Sequence, residues 1–179
     1  MATWNVQGIR NKEQEVVKEI EKMKIDICVL TETKKKGTGS EKTGDYMKIY
    51  SGVLKSNRAK RGVAILVHKN IAKHIKSWQG IDEQIMTVEI NRNGHDIVIV
   101  GVYAPSEDSN IEVKEPFYDK LLNTLSEIRK NKEICILGDL NARVGRKNKN
   151  MIIGKYGEQV VNDNGTRLID LCEILSLRV

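Results

Sequence analysis

Residues 133–141 have the sequence EICILGDLN, a short apolar run that ends in the polar segment GDLN. A continuous apolar run of this length, bounded by turn-forming residues, is typical of a strand covered on both faces. The run Ile25–Thr31 (IDICVLT) has the same character and is followed directly by Glu32. The segment Ile25–Thr31 predicts a central strand covered on both faces, and Glu133–Gly138 predicts another buried strand that delivers Asp139 at its end.

Other strands and helices are expected around these two. Asn93-Gly94 predicts a two-residue hairpin turn. Asn11, with Gln14 three residues later, predicts the start of a first helix. A second helix of about twenty residues is expected from near Glu112. The remaining strand-like segments are Ala2–Val6, Tyr46–Val53, Gly62–His68, Ile71–Trp78, Gln84–Ile90 and Asp96–Tyr103, and a last helix carries Leu168, Leu171, Cys172 and Leu175.

The order of these elements is mixed, with hairpins between helices. Thr33–Asp45 is rich in Lys, Gly, Ser and Thr and predicts an exposed loop. Strands and helices mixed in this way predict a four-layer α/β sandwich, in which helices flank two β-sheets. A chain of 179 residues suits one domain, here 1–179.

Composition limits the classes of function without selecting one. The formal net charge of +6 is compatible with a polyanionic partner and equally with surface lysines on any globular protein. The odd cysteine count, without a CxxC pair, favours free buried thiols in a reducing compartment. No apolar run approaches a membrane span, and no signal peptide is recognised, so we expect an intracellular protein. The three cysteines are Cys28, Cys135 and Cys172.

Four strand ends carry polar residues with related chemistry. Strand ends of one sheet converge in space, so residues distant in sequence can form one site. Glu32 is a candidate ligand for a hard cation such as Mg²⁺ or Mn²⁺, which takes few protein carboxylates. Asp139 can orient or deprotonate water. The segments are Thr3-Trp4-Asn5-Val6, Leu30-Thr31-Glu32-Thr33, Val102-Tyr103-Ala104-Pro105 and Leu137-Gly138-Asp139-Leu140-Asn141.

The amides of Asn5 and Asn141 and the hydroxyl of Tyr103 are donors suited to a phosphate oxygen as charge develops on it. Each feature alone has a plainer interpretation. Glu32 can be a solvated carboxylate, Asp139-Leu140-Asn141 a turn, and Tyr103 a half-buried strand terminus. The ordered set favours a phosphodiester-cleaving site.

In this ordered set the sequence resembles the endonuclease/exonuclease/phosphatase superfamily. Within it, the sequence looks most like the endonuclease domain of non-LTR (LINE) retrotransposons of the RTE/BovB type, whose copies often carry the label craniofacial development protein 2-like. The resemblance runs from Thr3-Trp4-Asn5-Val6, through Arg61-Gly62-Val63-Ala64-Ile65 and Tyr103-Ala104-Pro105, to Gly138-Asp139-Leu140-Asn141 and the helix near Leu177. It therefore implies a DNA-nicking, divalent-metal-dependent phosphodiesterase.

The resemblance also implies a role for each candidate residue. Glu32 matches the metal-binding glutamate, and Asn5 helps to hold that site. Tyr103 matches the residue that contacts the scissile phosphate, and Asp139 the aspartate that positions or activates water. Asn141 matches the asparagine that stabilises the transition state.

One departure from the family pattern concerns a terminal Ser-Asp-His-like motif and a preceding aspartate-bearing strand, which this sequence does not contain. His68, His74 and His95 lie in segments that match no catalytic motif of the family. We therefore expect a domain incomplete at its C-terminus and impaired in catalysis.

Basic residues fall in loops beside the strands. They are either contacts for DNA phosphates or a solvated surface. The residues are Lys34, Lys35, Lys36, Lys55, Arg58, Lys60 and Arg61.

Three functions remain open at this point. The first is a DNA endonuclease domain, nuclear if functional. The second is a catalytically inactive nucleic-acid-binding or interaction fragment of the same fold. The third is a phosphatase or lipid phosphodiesterase, because one fold hosts several phosphoester substrates.

Overall fold

The structure, a computed structural model, describes residues 1–146 and 152–179. This part of the chain divides into two compact units, which are described separately below. One unit consists of Met1–Tyr103 and Lys130–Asp139, and the other of Ala104–Arg129 and Leu140–Val179. No helix in the described part is long and apolar enough to cross a membrane.

The first unit contains two β-sheets. Sheet A is formed by β1 (Ala2–Asn5), β2 (Ile27–Thr31), β3 (Thr38–Thr43), β4 (Tyr46–Ser51) and β5 (Val63–His68), in the order β1-β2-β5-β4-β3. Sheet B is formed by β6 (Ile75–Gly80), β7 (Ile85–Arg92), β8 (His95–Tyr103) and β9 (Glu133–Asp139), in sequence order. Two pairs run parallel, β1 with β2 and β8 with β9, whereas the other pairs are antiparallel.

Sheet A is covered on both faces, as its apolar strands predict. Helix α1 (Glu13–Lys22) packs Val16, Val17 and Ile20 against one face, where it meets Cys28, Leu30 and Leu66. The other face packs against sheet B in a second cluster, which includes Val29, Ile65, Val67, Met86, Val88 and Ile99. Alternate residues of β2 therefore enter different clusters, and all five residues of this strand are buried.

The second unit contains α3 (Ile111–Ser126) and α4 (Asp163–Leu175), which pack against each other. Its buried apolar residues are Phe117, Tyr118, Leu121, Leu125, Leu168, Leu171 and Cys172. The Tyr118 hydroxyl donates a 3.0 Å hydrogen bond to the Asn164 carbonyl at the start of α4. The side chain of Asn162 caps α4 by accepting a 2.8 Å hydrogen bond from the Gly165 amide.

The predicted fold class is confirmed, because the chain is an α/β protein with two β-sheets. The hairpin at Asn93-Gly94 is also confirmed, since Arg92 pairs with His95 and both turn residues have positive φ. Cys28, Cys135 and Cys172 are free thiols, of which Cys135 is half-buried.

Four local predictions are wrong. The segment Glu133–Gly138 predicts a buried strand, but β9 is only half-buried, because it is an edge strand of sheet B among the described residues. Residues 38–43 lie within the predicted loop but form β3, the edge strand of sheet A, and edge strands are commonly polar. The predicted strand Ile71–Trp78 begins instead at Ile75, because a short helix, α2 (Lys69–Ala72), occupies its first residues. Asn11 does not cap α1: it has a φ of 65°, and Lys12 is the N-cap residue.

Candidate functional site

Four of the five candidate site residues lie at or directly after strand ends in the first unit. Asn5 ends β1, and Glu32 follows Thr31, its partner residue in β2. Tyr103 ends β8 and pairs with Asp139 at the end of β9. The carboxyl ends of both parallel strand pairs therefore carry these four residues. Strand β9 also contacts β1 and β2.

Asn5 connects the two carboxylates of this cluster. Its Nδ2 donates a 3.0 Å hydrogen bond to Asp139 Oδ2. Its Oδ1 accepts a 3.1 Å hydrogen bond from the Gln7 amide, which fixes the orientation of the side-chain amide. The Asn5 side chain also contributes, after Lys34, to lowering the pKa of Glu32. Asn5, Glu32 and Asp139 are therefore held as one group.

The Glu32 carboxylate has two further donors. Lys34 Nζ lies 2.8 Å from Oε1, and the Tyr103 hydroxyl donates to Oε2 over 3.4 Å. The hydrogen bond from Lys34 is the main reason that the pKa of Glu32 is lowered from its usual value. Burial, followed by the charges of Glu32 and Asp139, raises the pKa of Tyr103. Glu32 therefore stays ionised and Tyr103 stays a donor near neutral pH.

Gly138 positions Asp139 by allowing β9 to approach β8. It has a φ of 146°, and a Cβ at this position would lie 1.9 Å from the Val102 carbonyl oxygen. No side chain larger than hydrogen fits so close to a backbone oxygen. A glycine directly before Asp139 is thus a steric requirement of this strand end.

Asn141, the fifth candidate residue, belongs to the second unit. It has a φ of 48°, a left-handed conformation that Asn tolerates better than most residues. Its Nδ2 donates a 3.1 Å hydrogen bond to the Ala104 carbonyl. Its own carbonyl accepts hydrogen bonds from the side-chain amides of Asn162, at 2.9 Å, and Asn164, at 3.4 Å. The start of α4 therefore holds the backbone of Asn141.

The donor set of the first unit fits a hard divalent cation. Within residues 1–146 and 152–179, no three His, Cys, Asp or Glu side chains form a metal-binding cluster. A cation of the Mg²⁺ type needs only one or two protein carboxylates, because it keeps several waters. Glu32 supplies such a carboxylate, and the Asn5 amide stands between it and Asp139. Thiolate- or imidazole-preferring metals have no matching donors in this cluster.

Two residues that support Tyr103 were not predicted from the sequence. Gln84 is buried, and its Nε2 donates a 2.9 Å hydrogen bond to the Tyr103 carbonyl, while the Tyr103 amide donates to the Gln84 carbonyl at 2.8 Å. Arg61 Nη1 donates to Gln84 Oε1 over 2.7 Å. A polar residue at the start of the apolar segment 84–90 was the available signal, but it does not reveal its partners.

The basic loop residues differ in their surroundings. Lys35 pairs with Glu41 at 2.7 Å, and the Lys36 ammonium donates to the Lys55 carbonyl at 2.9 Å. Lys34 and Arg61 contact groups of the candidate site, as described above. Lys55, Arg58 and Lys60 are exposed. Exposed cations of this kind are suited to phosphate contacts that carry no sequence information.

The three histidines lie away from the four clustered residues. His68 ends β5, at the edge of sheet A where the paired strand β2 begins. His95 begins β8, the strand that ends at Tyr103, and the His74 carbonyl accepts from the amide of Asn91 in β7. The strand ends that carry Glu32 and Tyr103 are therefore the opposite ends, and the chain brings no imidazole to them.

A cavity of about 590 Å³ lies between the end of β1 and helix α1. Trp4, Asn5 and Gln7 line one side of it, and Lys12 and Val16 line the other. Asn5 is common to the cavity and the cluster, whereas Glu32, Tyr103 and Asp139 do not line the cavity. The cavity is thus a neighbour of the candidate site.

Comparison with known proteins identifies the family to which the sequence is similar. A sequence model described as the Endonuclease/Exonuclease/phosphatase family matches residues 2–163. Craniofacial development protein 2 of Bos taurus is 30% identical over 173 residues, which are 96% of this chain but 29% of that protein. The chain thus spans less than a third of the length of this curated relative.

Two solved structures share the fold. AP endonuclease LMAP from Leishmania major superposes with a TM-score of 0.67 at 13% identity, covering 96% of this chain and 65% of that one. The endonuclease domain of TRAS1, a telomere-specific non-LTR retrotransposon, gives a TM-score of 0.64 at 17% identity, covering 97% and 70%. At these identities the similarity concerns the fold alone.

Proposed function

Because the chain belongs to the endonuclease/exonuclease/phosphatase family, we propose that it is a divalent-metal-dependent phosphodiesterase that nicks DNA. The observation that carries the proposal is the cluster itself. Asn5 donates to Asp139 at 3.0 Å, and the Tyr103 hydroxyl donates to Glu32 at 3.4 Å. Tyr103 and Asp139 are also paired residues at the ends of β8 and β9. An origin in a retrotransposon endonuclease domain of the RTE/BovB type is part of the proposal, supported by the sequence motifs.

In the proposed mechanism, Glu32 would hold Mg²⁺ or Mn²⁺ with help from Asn5. A bound cation supplies Lewis acidity toward a phosphoryl oxygen. Asp139 orients a water molecule and accepts its proton, and the hydrogen bond from Asn5 holds its carboxylate in place. Tyr103, a neutral phenol, donates a hydrogen bond to a phosphate oxygen as negative charge develops. The family resemblance assigns stabilisation of the transition state to Asn141.

Turnover by this chain is proposed to be weak. The site receives no imidazole, because His68, His74 and His95 lie at other strand ends or turns. One positioned acid or base contributes about 10²–10⁴-fold to a rate. A second candidate function, nucleic-acid binding without turnover, is favoured by the same observation. Exposed Lys55, Arg58 and Lys60 are suited to the DNA backbone under either proposal.

Nicking of supercoiled plasmid with Mg²⁺ under single-turnover conditions tests the proposal. We expect slow formation of nicked circles, reduced at least about 100-fold in Asp139→Ala. Glu133→Gln is the matched control, since Glu133 is exposed at the other end of the same strand. Equal background nicking by all three proteins, with DNA binding retained, would favour the second candidate. Hydrolysis of small phosphomonoesters without plasmid nicking would instead indicate a phosphatase.

A further inference from the structure

Both carboxylate oxygens of Glu32 already have donors. Lys34 Nζ contacts Oε1 at 2.8 Å, whereas the Tyr103 hydroxyl contacts Oε2 at a longer 3.4 Å. Lys34 provides the charged donor of this pair. A divalent cation that binds Glu32 therefore meets a resident positive charge at the same carboxylate.

The backbone places this lysine with little freedom. Glu32 and Lys34 have φ values of 54° and 52°, which are costly for L-residues and persist only where surrounding structure imposes them. The Gly8 amide donates to the Glu32 carbonyl at 2.7 Å, and the Lys34 amide donates to the Arg61 carbonyl at 3.0 Å. The segment from Glu32 to Lys34 is thus held between two other loops.

The side chain of Lys34 is also guided along its length. A Cβ at Gly8 would lie 3.5 Å from Lys34 Cδ, so the aliphatic stem passes beside a residue without a side chain. The side chain is 43% exposed, compared with 20% for Glu32. The ammonium can therefore leave the carboxylate for solvent, whereas the carboxylate stays in place.

We propose that Lys34 is a built-in competitor for the divalent cation, whose ammonium must leave the Glu32 carboxylate before the cation binds. This inference rests on the proposed function, since it takes Glu32 as the cation ligand. Without a cation, the lysine neutralises the Glu32 carboxylate, to which the Tyr103 hydroxyl also donates. When a cation binds, it replaces the Lys34 ammonium at the Glu32 carboxylate. The affinity of the site for the cation is therefore lower than it would be without the lysine.

Isothermal calorimetry of Mn²⁺ binding to the full chain tests the exchange, with wild type, Lys34→Met and Lys34→Gln. Both variants keep a side chain of similar reach and remove the charge. Because exposed ion pairs contribute up to about 1 kcal/mol, we expect Mn²⁺ to bind up to about fivefold more tightly to both variants. Lys36→Met is the matched control, because the Lys36 ammonium donates to the backbone carbonyl of Lys55. The Mn²⁺ affinity of this variant should equal that of wild type.

The outcomes separate the two proposals. Tighter binding to both Lys34 variants, lost again when Glu32→Gln is added, supports the exchange. Binding that depends on Glu32 but is unchanged or weaker in the Lys34 variants overturns the exchange and leaves the proposed function intact. No Glu32-dependent binding in any of these proteins overturns both.

Discussion

The side-chain amide of Asn5 donates a 3.0 Å hydrogen bond to the carboxylate of Asp139, a residue 134 positions later in the sequence. Asn5 ends β1, which is one of the two edge strands of sheet A, and Asp139 ends β9, which is one of the two edge strands of sheet B. This contact therefore joins the two sheets at the ends that carry the candidate site. The coupling free energy between Asn5 and Asp139 therefore tests whether this contact forms in the folded protein.

A double-mutant cycle measures this coupling. Asn5→Ala and Asp139→Ala should show a coupling free energy of about 1 kcal/mol in urea unfolding, because the hydrogen bond has an ionised acceptor and is only partly buried. The pair Asn5→Ala and Glu133→Ala is the control and should be additive, since Glu133 lies at the far end of β9. Additivity of the Asn5 and Asp139 changes would contradict the contact.

Gly138→Ala should be far more harmful than an alanine at another glycine with positive φ. The added Cβ would lie 1.9 Å from the Val102 carbonyl oxygen, so β8 and β9 must separate. We expect a loss of about 3 kcal/mol in the free energy of unfolding. Gly94→Ala is the matched control, because its φ is 85° but nothing lies within 4 Å of the new methyl group. Its cost should be about 1 kcal/mol, and equal costs at the two sites would be evidence against the close approach.

Removing Lys48 and removing its two carboxylate partners should have unequal effects on the stability of the fold. The Lys48 side chain is fully buried and pairs with Glu13 and with Glu41, whereas the side chains of these glutamates are 29% and 43% exposed. Removing the lysine leaves carboxylates that water can reach, but removing both carboxylates leaves a buried ammonium. The double variant Glu13→Gln/Glu41→Gln should therefore lower the free energy of unfolding by about 3 kcal/mol, and Lys48→Met by less. Chemical denaturation at pH 7 measures both, and the reverse order would refute this assignment.

Cys28 predicts a loss of stability at alkaline pH. Burial raises the pKa of this thiol from 9.0 to about 11. A raised pKa in the folded state means that the stabilising contribution is complete below pH 9.0 and is lost as the pH rises toward 11. Wild type should therefore lose about 2 kcal/mol more than Cys28→Ala between these limits. Parallel losses in the two proteins, measured by urea unfolding at several pH values, would show that Cys28 does not titrate as described.

Much of this architecture can be predicted from the sequence because segments that pack in the interior are rich in apolar residues. The segment of β2 is apolar because this strand is buried along its whole length. The segment of β9 is also apolar, although β9 is a half-buried edge strand of sheet B. Each segment leads to a polar residue at the strand end, Glu32 directly after β2 and Asp139 as the last residue of β9. The edge strand β3 has no apolar run. Its sequence TGSEKT satisfies a solvated loop as well as an exposed strand, so its pairing with β4 is decided by tertiary structure.

Side-chain partners are the part that sequence does not reveal. Lys34 occurs in a run of three lysines that suggests a solvated patch, yet its ammonium lies 2.8 Å from Glu32. Gln84 and Asn164 are buried polar residues whose hydrogen bonds cross between separate segments. Such contacts depend on distances between elements, and no local pattern encodes them. The start of α4 is different, since Asn162 is a favoured N-cap residue and its position was open to prediction.

The most direct test of the central claim, that Glu32 and its neighbours form one divalent-cation site, is electron paramagnetic resonance of free Mn²⁺. Titration of the chain should show one weak site per molecule, because one carboxylate with retained waters holds the cation loosely. Glu32→Gln should remove this site, whereas Glu133→Gln, which changes an exposed carboxylate remote from the cluster, should leave it unchanged. Identical Mn²⁺ binding curves for wild type and Glu32→Gln would contradict the account.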